Sequence, residues 1–124
     1  MKFLCLGYLS PEKMNVLPKG EIEAIMSECS LHLQKFYLSG QVIMDVGVET
    51  EVKSIRREKG NIKVTENALV EFDERIGSVF LIEANDMEEA IRIASLHPTT
   101  QFDAGEELGW RIEIRPVHYF EKSE

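Results

Sequence analysis

No apolar run in this chain approaches the roughly 20 residues that a helix needs to span a bilayer. The N-terminal MKFLCLGYL comes nearest, but it carries one lysine, stops at Ser10-Pro11 and has no small-residue cleavage site. It reads as a first strand, which predicts a cytoplasmic protein without a membrane partner. Cysteine is scarce. Cys5 and Cys29 fall at apolar positions in the expected first strand and first helix, and read as buried, reduced thiols. The 3 histidines are far apart, and H-x-H, H-E-x-x-H and C-x-x-C are all missing, so no metal is expected. A P-loop, a dinucleotide-binding glycine pattern and a nucleophile elbow are missing too, and no cofactor is expected. Positive charge is in deficit: 14 Lys and Arg against 22 Asp and Glu leave a net −8. That balance opposes nucleic acid or an anionic membrane as partner, while leaving open a small anion held by local arginines.

What is present fits one domain. With 124 residues, 44% apolar and 29% charged, the chain has the composition of a folded globular protein. A single domain is expected over residues 1–120, with 121–124 a frayed polar tail. Residues 2–9 read as a buried strand, and 10–20 as an irregular loop held by Ser10, Pro11, Pro18 and Gly20. A helix follows over 21–39, in which Ile22, Ile25, Met26, Cys29, Leu33 and Phe36 share one face and Gly40 is placed for the C-terminal cap. Residues 42–48 form the second strand. Residues 49–57 and 61–66 pair as a charged, peripheral hairpin turning at Lys59-Gly60-Asn61. Residues 68–76 fit either a short helix or a loop.

The clearest stretch is 77–98, GSVFLIEANDMEEAIRIASLHP. Residues 79–82 make a short apolar strand, Asp86 and Glu89 approximate a capping box, and Met87, Ala90, Ile91 and Ala94 recur at helical spacing. The residue before a proline is pushed out of helical geometry, so the helix ends by His97. A turn-rich connection over 99–109 leads to a last strand, 110–117, in which Trp110, Ile112 and Ile114 alternate with Arg111, Glu113 and Arg115. Gly7, Gly20, Gly40 and Gly47 read as backbone punctuation, and Met14, Met26, Met44 and Met87 as core filling.

The order strand, helix, strand, hairpin, strand, helix, strand predicts an α+β fold: a ferredoxin-like split β-α-β with an inserted hairpin. Each helix has one apolar side, so both should cover the same face of an antiparallel sheet. The central strand offers apolar groups to both faces, since Phe80 and Ile82 alternate with Val79 and Leu81. A homodimer packed through the uncovered sheet face is the economical solution.

Several of these residues also resemble the YCII-related family, in its branch named for a DGPF motif. MKFLCLGY looks like that family's first strand. Val64-Thr65-Glu66-Asn67-Ala68-Leu69 stands where V-T-D-G-P-F is usual, with ENAL in place of DGPF. Ile76-Gly77, residues 79–82, residues 86–90, His97-Pro98 and the E-x-R-P-V ending at Val117 follow in the family's order. The resemblance implies a dimeric α+β barrel and an enzymatic role that is poorly defined across the family. Smaller family members carry a His-Asp pair with the histidine on the first helix. His32 lies on the first helix but not at that histidine's place, and the pair is not carried over to it.

His97 leads the candidates for chemistry. At a helix end its imidazolium would be favoured by the dipole, so it reads as a general acid-base group or as a cap for helix-end carbonyls. Asp45, inside an apolar strand, either orients a histidine or ligand in a cleft or faces solvent at a sheet edge. Arg115 either clamps an anionic ligand or pairs with Glu113. His32 and His118 read as structural and surface residues, and Glu71 and Asp103 as solvated loop acids. Two functions stay open: cofactor-free acid-base catalysis on a small organic molecule, or a non-catalytic dimeric module that binds a small ligand or a partner segment.

Overall fold

Alternation along β1, Lys2–Leu9, sends Phe3 and Cys5 into the core and turns Leu4, Leu6 and Tyr8 to the other side. The computed structural model in which this is seen describes residues 1–66, 74–101 and 103–123. Around β1 lies a four-stranded antiparallel sheet in the order β2-β5-β1-β6, with β2 at Val42–Gly47, β5 at Arg75–Glu83 and β6 at Arg111–Pro116. This α+β arrangement is compatible with the ferredoxin-like split β-α-β. Strand β5 begins earlier than the apolar run at 79–82 suggests, because cross-strand pairing with β1 continues to Arg75.

The long helix α2, Lys19–Leu38, and helix α3, Met87–Ala94, cover one face of the sheet. Phe36 from α2 meets Phe80 from β5 edge to face, with centroids 4.9 Å apart. Ala90, Ile93 and Ala94 from α3 close the same core over Phe3, Cys5 and Ile82. Asp86 caps α3 by accepting from the Glu89 N–H at 2.8 Å, and Glu89 reaches back to the Asn85 N–H at 3.1 Å. Gly40 follows α2 at φ 74°, the left-handed geometry its place after the helix requires.

Two connections are more ordered than their sequences suggest. Within the expected loop 10–20, Pro11–Asn15 is a short helix, α1, with Ser10 Oγ accepting from the Lys13 N–H. Ser10 is the N-cap and Pro11 the first helical residue, a favoured start. Within the expected connection 99–109, Pro98–Thr100 forms a 3₁₀ turn and Asp103–Glu107 a helix, α4. Elements this short show no sequence period, so tertiary contacts decide them.

Strands β3, Lys53–Glu58, and β4, Asn61–Glu66, form a separate two-stranded sheet. Lys59 and Gly60 at its turn both have positive φ, 50° and 82°, as the favoured two-residue hairpin loop requires. The ENAL stretch continues past Glu66 into residues outside the described set. So do Glu71 and most of the 68–76 segment. Among the described residues no helix is long and apolar enough to cross a membrane.

Candidate functional site

The helix-covered face of the sheet has a gap in its packing. Gly7 on β1 pairs with Ser78 on β5, and Ser78 pairs with Gly47 on β2. These three share the face of Cys5, Phe80 and Asp45, two residues away on each strand, so a row of glycine, serine and glycine crosses the sheet under α2. Helix α2 presents Met26, Cys29 and Leu33 above this row without filling it. The result is a cavity of about 350 Å³, at the small end of the range of roughly 300–1,000 Å³ for small-molecule sites. Leu9, Trp110 and the turn at residues 97–99 complete its wall.

His97 borders this cavity and is buried. Its ring lies parallel to Phe80 at 4.8 Å between centroids and meets Phe36 edge-on at 5.3 Å. The Thr99 N–H donates to His97 Nδ1 at 3.2 Å, and Thr99 Oγ1 lies 2.7 Å from the same nitrogen. Because Nδ1 accepts a backbone hydrogen bond, the neutral ring carries its proton on Nε2. Burial pushes the His97 pKa down to about 4, with the Asp45 charge acting weakly in the opposite direction. The imidazolium expected from a helix end is therefore overturned. Helix α3 stops at Ala94, and His97 serves as N-cap of the next turn, inside an aromatic cluster where a cation loses its hydration.

Asp45 borders the same cavity from the edge strand β2, half-buried. It pairs with Phe80 in register, which turns its side chain to the helix side rather than to open solvent. The Tyr37 hydroxyl on α2 donates to Asp45 Oδ2. That bond, with burial second, pushes the phenol up to about 12, as expected for an O–H held by a carboxylate. His97 and Asp45, distant in sequence, thus meet at one cavity. Cys29 on its wall has a thiol raised by burial and by Glu28, which keeps it protonated.

Arg115 does not join them. It pairs with Leu4 across β1 and β6, on the opposite face of the sheet, where it is 64% exposed and bridges Glu113 at 3.2 Å. The alternation of β6 already carried this signal, since Arg115 is out of phase with Ile112 and Ile114. His32 is half-buried on α2, and His118 is exposed beyond β6. Tyr37, Ser78, Thr99, Gly7 and Gly47 were missed as site residues. A glycine inside a strand marks close approach or open space; Gly7 and Gly47, read as punctuation, form the cavity floor instead. Among the described residues, no group of three or more His, Cys, Asp or Glu stands close enough to hold a metal ion.

A family model, the YCII-related domain, matches residues 1–110. No curated protein matches the chain.

Proposed function

The chain belongs to the YCII-related family, and from that premise we propose that its cavity is a cofactor-free acid-base site for a small organic molecule. One observation carries the reading: His97 and Asp45, from different ends of the fold, border the same small cavity. Asp45 is the base. Its carboxylate, steadied by the Tyr37 hydroxyl, takes a proton from bound substrate. His97 stays neutral and gives a hydrogen bond from Nε2 to the substrate oxygen on which charge develops. Thr99 fixes the tautomer this role needs. Arg115 has no part in that site; a role in holding an anionic ligand would belong to the other sheet face.

The finer architecture we propose is a dimeric α+β barrel, two copies meeting through the open face of the sheet. Leu4, Leu6 and Val79, only part-buried on that face, support it, with Met44 and Val46 beside them at 42% and 39% exposure; Leu81 on the same face is already buried within one copy. A cytoplasmic setting is proposed on the free thiols of Cys5 and Cys29.

The test is proton exchange. A panel of small ketones, enols and lactones is incubated with the protein in D2O, and loss of C–H signal is followed by NMR. Wild type is expected to catalyse exchange into at least one compound, and Asp45→Asn to lower that rate by about 10²–10⁴-fold. Exchange that survives Asp45→Asn unchanged removes the carboxylate from the mechanism. A non-catalytic binding module is the second reading. It is favoured by the hydrogen bonds of Nδ1, which give His97 a purely structural task in the 98–100 turn. Saturable binding with no exchange across the panel would decide for it.

A further inference from the structure

The charges bordering the cavity limit what can enter it. Among its described lining residues, Asp45 is the only one that carries a formal charge at neutral pH, and neither lysine nor arginine is present. Met26, Leu33 and Trp110 give the walls an apolar and partly aromatic character. The chain as a whole carries −8, so the surrounding field also repels anions. A carboxylate or phosphate entering here would face Asp45 across a medium less polarisable than water, with no cation on the wall to offset the repulsion. An ammonium group would meet a carboxylate partner, which favours a cation, on a wall that also carries Trp110.

We propose that the cavity takes an uncharged or cationic small molecule with a flat apolar end, and rejects carboxylates and phosphates. The proposal rests on the acid-base reading for the choice of site alone; charge preference is measured by binding and needs no turnover.

Trp110 is the chain's single tryptophan and lies on the cavity wall, so its fluorescence reports occupancy directly. The full chain is titrated with three probes of matched size: benzylamine, benzyl alcohol and benzoate. Benzylamine and benzyl alcohol are expected to bind saturably, the amine about tenfold tighter, and benzoate at least about tenfold weaker than the alcohol. In Asp45→Asn the advantage of the amine over the alcohol should shrink to about twofold.

Gly47→Val supplies the positional control. A Cβ at Gly47 meets nothing closer than the Gly77 carbonyl oxygen at 4.0 Å, so the first side-chain carbon fits on this cavity-lining residue without a clash, and all binding should weaken together. Benzoate binding as tightly as the alcohol overturns the proposal. So does the absence of saturable binding by all three probes, an amine preference that persists in Asp45→Asn, or binding indifferent to Gly47→Val. If Asp45→Asn fails to fold, the wild-type order and Gly47→Val still decide. Cation-first binding without proton exchange removes the acid-base reading and leaves this one standing. Exchange into a carboxylate substrate does the reverse.

Discussion

At the scale of single residues, His97 ties stability to pH. Its folded pKa of about 4 lies below the ordinary 6.5 because burial disfavours the imidazolium. Between those values the unfolded chain binds a proton that the folded chain does not, so stability falls as pH drops through that window and levels off below it. The full effect of such a shift is of order 3 kcal/mol. Urea unfolding at pH 7.5 and pH 4 should therefore show wild type losing about 2–3 kcal/mol more than His97→Gln. Equal losses in the two proteins would mean that the ring is solvated. Tyr37 gives a second measurement. Its phenol is raised to about 12, chiefly by the bond to Asp45, so Asp45→Asn should return one phenol titration towards 10.0, the ordinary value. Ultraviolet titration reads this directly, and an unmoved curve would separate the two side chains in solution.

At the scale of elements, the short pieces position the site. Gly105 in α4 packs so closely against the 98–100 turn that a Cβ there would lie 2.6 Å from the Thr99 carbonyl oxygen and 3.2 Å from the Trp110 ring. The first contact is backbone and cannot be relieved by a rotamer change. Gly105→Ala should destabilise the fold by about 1–3 kcal/mol. Because Thr99 holds Nδ1, the same change should also move the His97 ring signals in NMR. A variant with wild-type stability and unmoved ring signals would show that α4 does not brace the turn. Helix α3 depends on a different device. Asp86→Ala should cost about 1 kcal/mol through loss of the N-cap bond to Glu89, read as a lower urea midpoint. The capping pattern of α3 was legible from Asp86 and Glu89. The bracing role of α4 was not, because a five-residue helix has no periodicity and its glycine matters only through a neighbour distant in sequence.

At the scale of the whole molecule, the two faces of the sheet differ. Among the described residues, the helix side holds the packed core and the cavity. The other side is apolar over β2, β5 and β1 and turns polar towards β6, where the Tyr8 hydroxyl donates to Glu113 at 2.9 Å and the Arg111 guanidinium lies 4.1 Å over the Tyr8 ring. Arg111 also grips Glu74 with two hydrogen bonds, at 2.8 and 3.0 Å. A mixed face of this kind, with an apolar centre and a polar rim, is what an interface between two copies would use. Sedimentation is expected to give a dimer at micromolar concentration, and Val46→Asp, which puts a charge on the apolar part of the face, a monomer. A wild-type monomer would leave the apolar strip uncovered and end the barrel proposal.

The sequence by itself determined the alternation of β1, β5 and β6, the apolar sides of helices α2 and α3, the hairpin turn and the order of the strands and these two helices. Each of these is written within one segment as a period or a turn residue. It also singled out His97 and Asp45. Only the tertiary structure decided that Gly7, Ser78 and Gly47 fall in one row, that Asp45 turns towards the helices, that His97 is buried as a neutral ring, and that Arg115 stands on the far face of the sheet. Strand register and burial arise between segments distant in sequence. The charge state of His97 and the existence of the cavity therefore belong to the packed molecule rather than to any stretch of it.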